Sequence, residues 1–166
     1  MTAPRSAGRP HIPRYGIPRD RVGLLAWERV ERALVAAPRY WVATTDADGR
    51  PHLIQQWGAW VDGRYYLEGG PQTRWARNLR RTKRVVLSVE RAGLAIMVEG
   101  RARELRSRSV PARLARRIVA GYAAKPYGYA PHPRNWTGGG LWEVRPERAF
   151  AWRYVAFVRS ATRYLF

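Results

Sequence analysis

Residues 40–68 read YWVATTDADGRPHLIQQWGAWVDGRYYLE, and this stretch decides the fold. From Tyr40 the chain turns β-branched and aromatic, so Trp41-Val42-Ala43-Thr44-Thr45 is predicted to be a strand. Asp46-Ala47-Asp48-Gly49-Arg50 follows as a turn built on Asp and Gly, which tolerate turn backbone and bond to their own chain. A second strand is expected over His52 to Trp60, a tight turn at Asp62-Gly63 and a third strand over Arg64 to Glu68. Three strands joined by two short turns make an antiparallel meander.

Downstream, Gly69-Gly70-Pro71 breaks the pattern, and Thr73 is expected to open a short helix through about Arg81. Arg84 to Glu90 alternates, with Val85, Leu87 and Val89 on one face. Arg91-Ala92-Gly93 turns the chain into Leu94 to Glu104, where Gly100 marks a bend or bulge. Ser107 or Ser109 can cap the next helix. Its Val110, Leu114, Ile118 and Tyr122 step by four, while Arg108, Arg113, Arg116 and Arg117 cover other faces. Lys125 to Gly140, rich in Pro, Gly, Tyr and His, reads as a long loop, and loops of this length often carry function. Leu141–Val144 and Ala149–Tyr154 read as two last strands, and residues 161–166 are apolar enough to dock on the body. Upstream, Leu24, Trp27, Val30 and Leu34 make one apolar stripe on a helix that Asp20 can cap and that runs to about Ala37, before Pro38. Residues 1–19 hold Pro4, Pro10, Pro13 and Pro18 and are expected to be an irregular basic arm. Residues 20–166 then form one domain. It is mainly β (α+β), an antiparallel barrel of six or seven strands, closed or nearly so, with two longer flanking helices.

The 166 residues suffice for one buried core. There is no cysteine, which excludes a disulfide framework, a thiolate metal site and a cysteine nucleophile. No run of about 18 apolar residues can span a membrane, and residues 1–19 do not resemble a secretory signal. A cytoplasmic location is expected. The net charge of +19, carried almost wholly by arginine, favours anionic partners, or reflects a composition that fills surfaces with Arg. Nucleic acid is not expected to be that partner. The cations are spread along the chain, without a base-stacking ribonucleoprotein motif or a helix-turn-helix signature.

Hydrolytic chemistry finds little support. His11, His52 and His132 are scattered without zinc-ligand spacing, so no metal is expected. No G-x-S-x-G elbow or Walker loop is present, and Asp46 and Asp48 read as turn residues. The informative segment is Gly69-Gly70-Pro71-Gln72-Thr73-Arg74-Trp75-Ala76-Arg77-Asn78-Leu79. A strand ends in glycines and a helix begins, so free backbone N–H groups and the helix dipole favour an anion there. The Thr73 hydroxyl and the Arg74 and Arg77 guanidinium groups can add contacts to phosphate oxygens. A plain capped helix with basic surface residues fits the same segment. Trp57, Trp60, Trp75, Trp136, Trp142 and Trp152 can wall a flat ligand or pack a core.

Taken together, these segments resemble the pyridoxamine 5'-phosphate oxidase-like split-barrel flavoproteins, and most closely their deazaflavin-dependent branch. Asp48-Gly49-Arg50-Pro51-His52 resembles the family's first hairpin, and Trp57-Gly58-Ala59-Trp60 with Asp62-Gly63-Arg64-Tyr65-Tyr66 its next strand pair. Thr73 to Leu79 resembles the S/T-R-K-x-R-N-L phosphate segment, and Val98-Glu99-Gly100-Arg101-Ala102 the V-x-G-x-A strand. Ala149-Phe150-Ala151-Trp152 and Thr162-Arg163-Tyr164-Leu165-Phe166 resemble the closing segments. The likeness runs from about Asp20 to Phe166.

The resemblance implies a homodimeric oxidoreductase that moves a hydride between FMN or coenzyme F420 and an unsaturated organic substrate, with cofactor sites shared between subunits. It places the cofactor phosphate on Thr73, Arg74 and Arg77, with Gly69, Gly70 and Asn78 beside them. It lays the ring against Gln55, Gln56 and Trp57, and it includes His52 among the cofactor contacts. Trp75 departs from the pattern, since it stands where the family has a phosphate lysine. Gln55 and Gln56 replace the usual Pro and apolar residue. No side chain is singled out as catalytic; Tyr65, Tyr66, Tyr122, Tyr127 and His132 are proton-donor candidates by type. The alternative is a split barrel that binds a flavin, haem or another flat molecule without turnover.

Overall fold

The computed structural model describes residues 3–166. In chain order the elements are β1 (Ser6–Gly8), α1 (Trp27–Ala36), β2 (Tyr40–Thr45), β3 (Pro51–Gln56), β4 (Ala59–Val61), β5 (Arg64–Glu68) and α2 (Arg74–Thr82). Then follow β6 (Arg84–Arg91), β7 (Leu94–Leu105), α3 (Ala112–Ala123), β8 (Leu141–Arg153), α4 (Phe157–Ser160) and β9 (Thr162–Leu165). Burial alternates along β2, where Tyr40 and Val42 are buried and their neighbour Trp41 is exposed, whereas β4 is buried at every residue.

All ladders are antiparallel, in the order β1-β9-β8-β7-β6-β2-β3, with β5 joining β4 to β8. The thirteen-residue β8 is the branch point. Its first part, Leu141 to Val144, pairs with β5, and its later part, Ala149 to Ala151 with Arg148, pairs with β9. Among the described residues no ladder joins β3 to β4, so the barrel is split and not closed. One side chain spans the opening: Gln56 Nε2 donates to Glu68 O over 3.2 Å.

The nine strands among the described residues differ from the expected six or seven for identifiable reasons. The strand expected over His52 to Trp60 breaks at Trp57-Gly58. Tyr65 Oη donates to Trp57 O, and its ring lies where a Cβ on Gly58 would be, 2.2 Å from Cε2. Only glycine permits that approach, and it turns the chain from β3 into β4. Leu141–Val144 and Ala149–Tyr154, expected as two strands, are one. The irregularity at Pro146 is absorbed by a register shift between Glu99 and Gly100 on β7. Gly100 is needed there because its Cβ would come 2.2 Å from Arg145 O.

The other two strands form at the chain ends. Ser6–Gly8, read as part of an irregular arm, pairs with Arg163–Leu165. The Arg9 guanidinium, 9% exposed, then ties this arm to the carbonyls of Asp20, Val22, Arg159 and Ala161. Met1 and Thr2 of the arm lie outside the described residues. Asp20 does not cap α1. Its Oδ1 accepts from Val22 N in a local turn, Gly23 adopts φ +85°, and helix begins only at Trp27. Ser107 and Ser109 likewise belong to a separate 3₁₀ turn, closed by Ser109 Oγ donating to Arg106 O. Pro111, which offers no N–H, precedes α3.

The buried stripe of α1, Trp27, Val30, Ala33 and Leu34, packs into the barrel with Tyr40, Val42, Trp60, Trp75, Leu79 and Trp142. A second core lies beneath α3, where Ile118 and Tyr122 meet Val61, Tyr66, Leu105, Trp136 and Leu141. No helix among the described residues is long and apolar enough to cross a membrane.

Candidate functional site

Helix α2 organises the arginines. Arg74, Arg77, Asn78 and Arg81 recur at the three- and four-residue steps that place side chains on one helix face. With Asp46, Ala47 and Arg50 they line a cleft of about 480 Å³. Arg74 Nη2 donates to Asp46 Oδ2 over 2.7 Å, and Arg81 donates to the carbonyls of Thr45 and Asp46. Arg77 Nη1 donates to Gln72 O over 2.8 Å. The hydrogen bond from Arg74 outweighs the small effect of desolvation, so Asp46 titrates below the usual carboxylate range. Asp46 also accepts from the N–H groups of Asp48 and Arg50. The turn carboxylate therefore fixes Arg74, the turn carbonyls fix Arg81, and Asp48 lies 3.6 Å from Arg50 at the rim, so four guanidinium groups face two carboxylates and the cleft keeps a positive excess. Each guanidinium has five N–H donors, so donors remain for an oxyanion.

Thr73 is the last extended residue before α2, but no side chain caps the helix. Its hydroxyl donates back to Gly70 O over 2.9 Å. Asn78 is buried and donates to Thr44 Oγ1, so it braces the wall of the cleft. Gly69 lies against the Trp75 indole, 2.7 Å from where its Cβ would stand, which makes glycine necessary. Its N–H donates to Gly140 O. Trp75, 4% exposed, turns inward against Trp142, with ring centroids 6.1 Å apart. The position where the resemblance expects a phosphate lysine therefore faces the core.

A second group gathers at the mouth of the split. Trp57 is 42% exposed on one side and stacked on Tyr127 on the other, with centroids 4.4 Å apart and rings 4° from parallel. Glu68 accepts from Tyr129 Oη and from Trp136 Nε1, and its N–H donates to Tyr122 Oη. Burial, and then the Glu68 contact, push Tyr129 up to about 12. Lys125 Nζ donates to Val35 O and Ala37 O, anchoring the start of the 124–140 segment to the end of α1. Burial, reinforced by Arg91, brings Lys125 down to about 8.

The structure thus brings Arg74, Arg77 and Asn78 into one cleft and adds Arg50, Arg81 and Asp46 to it. Gly69, Gly70 and Thr73 form the turn that leads into α2. Gln56 and Trp57 belong to the mouth of the split. Gln55 is exposed on β3, and His52, half-buried, pairs with Thr44 at the other end of that strand. Arg81 was legible as the next step of the Arg74–Arg77 stripe. The role of Asp46 and the Glu68 hub had no signal in the sequence. Of the tyrosines considered as proton donors, Tyr65 and Tyr122 are pushed well above the ordinary range, chiefly by burial. Tyr66 donates to Glu143, and His132 is exposed, with Nδ1 accepting from Arg134 N.

Residues 26–153 match the family model described as pyridoxamine 5'-phosphate oxidase. The chain belongs to that family. No curated protein sequence matches it. Among solved structures, a conserved hypothetical protein of Mycobacterium tuberculosis is 19% identical with a TM-score of 0.65, over 81% of this chain and 88% of that one. A structure described as an F420 reductase is 20% identical with a TM-score of 0.52, over 70% and 92% of the two chains. A heme storage protein from Vibrio cholerae is 16% identical with a TM-score of 0.54, over 72% and 89%. At these identities the likeness is one of fold. The family includes oxidoreductases, and one structural neighbour of this chain is described as a heme storage protein.

Proposed function

We propose that this family member is an oxidoreductase that holds FMN or coenzyme F420 by its phosphate in the α2 cleft and transfers a hydride to or from an unsaturated organic substrate. The observation that carries the reading is the convergence of Arg50, Arg74, Arg77 and Arg81 on one cleft whose lining holds a single carboxylate, Asp46. These residues fit a phosphate: the charge is opposite, guanidinium forks match its oxygens, and Arg74, Arg77 and Arg81 are already held in place by hydrogen bonds. The cofactor, when bound, supplies the hydride chemistry at its ring. The chain supplies position and field. Gln55, Gln56 and the exposed face of Trp57 offer amide and aromatic contacts to a planar ligand, while the packed aromatic segment behind them limits water.

We further propose that the working unit is a homodimer. Leu53 and Val86 flank Ala43 in register, and Trp41 lies beside them on β2, so three exposed large apolar side chains share one sheet face. A contiguous patch of this kind marks an interaction surface, and a second copy is the partner the family resemblance implies.

The test is titration of the purified protein with FMN, riboflavin and coenzyme F420, with Arg74→Ala in parallel. A charge-assisted hydrogen bond is worth about 1.5–3 kcal/mol. The variant is therefore expected to lose about ten- to hundredfold in affinity for the phosphorylated cofactor and little for riboflavin. Equal losses for both forms, or no binding of any flavin or deazaflavin, would reject the reading. A protein that binds the cofactor yet turns over with no reductant or acceptor would support the non-catalytic alternative.

A further inference from the structure

On the outer face of β5, β8 and β7, Glu143 is 1% exposed and its two oxygens are saturated. Oε1 accepts from Arg103 Nε and Arg145 Nε at 2.8 and 2.9 Å, and Oε2 accepts from Arg64 Nη1 and Tyr66 Oη at 2.8 and 3.1 Å. Burial favours the protonated carboxyl, but the hydrogen bonds from Arg145, Arg103 and Arg64 outweigh it and hold Glu143 down at about 2.

The arginines are not buried with it. The side chains of Arg103 and Arg145 are 54% and 51% exposed, and that of Arg64 is 32% exposed. Arg103 and Arg145 both reach Glu143 through Nε, which leaves their terminal Nη pairs for solvent. Arg101, exposed, stands directly opposite Arg145 on β8 and Arg84 on β6. Like charges placed directly opposite one another across strands destabilise a sheet, and here three arginines occupy one cross-strand row. Two acidic residues lie along the same strands: Glu99, two residues from Arg101 on β7, is taken by Arg148, and Glu147 on β8 lines a hollow with Arg84.

We propose that Arg64, Arg101, Arg103 and Arg145 form a second, preformed site for a ligand with two or three linked phosphoryl groups. The buried carboxylate fixes three guanidinium groups before any ligand arrives, which removes part of the ordering cost of binding. Four cations over one buried carboxylate favour a multiply charged anion and not a single carboxylate. Three adjacent strands span roughly 10 Å, which suits a short chain of phosphoryl groups. The site is separate from the α2 cleft, because Glu104, the neighbour of Arg103, turns to the opposite face and pairs there with Arg80 of α2. It borders the apolar patch, which starts on the same sheet face at Val86, two residues along β6 from Arg84, and extends away from the arginines through β2 to β3.

The probe is inorganic tripolyphosphate, titrated calorimetrically at two salt concentrations. The protein carries Arg74→Gln and Arg77→Gln to disable the α2 cleft. The expected result is saturable binding of one tripolyphosphate per chain, weakened by salt, and weakened about tenfold further by Arg101→Gln and by Arg103→Gln separately. Arg101 makes no contact with Glu143, so its replacement tests the site even if Arg103→Gln disturbs the fold. Loss of binding on disabling the α2 cleft alone would overturn the proposal, as would binding indifferent to Arg101→Gln. Displacement of tripolyphosphate by a single-stranded oligonucleotide at equal phosphate concentration would also overturn it, because that result describes a diffuse basic surface.

Discussion

Trp75 shows how one side chain can contradict the motif it belongs to. In the segment Thr73 to Leu79 it takes the place of a phosphate-binding cation, yet its indole is packed between Gly69 and Trp142. Replacing it with Lys puts an ammonium where no acceptor waits. Trp75→Lys is expected to cost about 3–5 kcal/mol, as truncations of large buried aromatics do, and to lower the melting temperature by many degrees without tightening phosphate binding. Tighter FMN binding with an unchanged melting curve would show that the side chain can turn out to the cleft. Glu143 is a second residue with a sharp expectation. Its carboxyl titrates near 2 in the fold, against an ordinary value of 4.5. A depressed carboxylate contributes stability that is complete above the unfolded value and is lost as pH falls through the folded one. Chemical denaturation of the wild type is therefore expected to show stability falling from about pH 4.5 toward pH 2. In Glu143→Gln that part of the acid slope should be absent. An unchanged acid profile in the variant would mean that the three arginines contribute nothing to the pairing.

At the level of elements, glycines decide where strands stop and bend. Gly100 lets β7 pass within contact of Arg145 O, so that one strand can pair with both halves of β8. Gly100→Ala is expected to destabilise the chain by about 1–3 kcal/mol through overpacking against backbone, and amide exchange is expected to quicken first on β8 around Arg145. Uniform exchange with no loss of stability would place the bulge elsewhere. Gly58 has the same character on the other side of the barrel, where it yields to the Tyr65 ring and opens the mouth of the split. Element type was legible from periodicity: β2, β5, β6 and α2 fall within a residue or two of their expected bounds. The start of α1 was not, because Asp20 bonds to its own local turn and leaves the helix without a side-chain cap. Half of the candidate site was legible in the same way. Arg74 and Arg77 share a face by helical spacing, but their acceptor Asp46 belongs to a hairpin turn 28 residues away in sequence from Arg74.

For the molecule as a whole, the exposed face of Trp41, Leu53 and Val86 makes the oligomeric state the decisive measurement. Sedimentation at micromolar concentration is expected to give twice the 19.1 kDa chain mass. Leu53→Glu together with Trp41→Glu should give a folded monomer, because two charges on that patch oppose its burial. A wild-type monomer with cofactor bound would remove the shared site. The sequence by itself determined what depends on neighbours along the chain: two antiparallel hairpins, the bodies of the helices, the arginine stripe of α2, and a net charge suited to anions. These follow from periods of two and of about 3.6 and from residue type, which need no distant contact. Only the tertiary structure decided that Trp75 faces inward, that β8 is one strand serving two partners, that Asp46 anchors the cleft, and that one buried carboxylate gathers three arginines. These depend on residues far apart in sequence, such as Trp75 with Trp142 and Arg64 with Glu143, and the direction of a side chain there is set by the space and the partners that the folded sheet supplies.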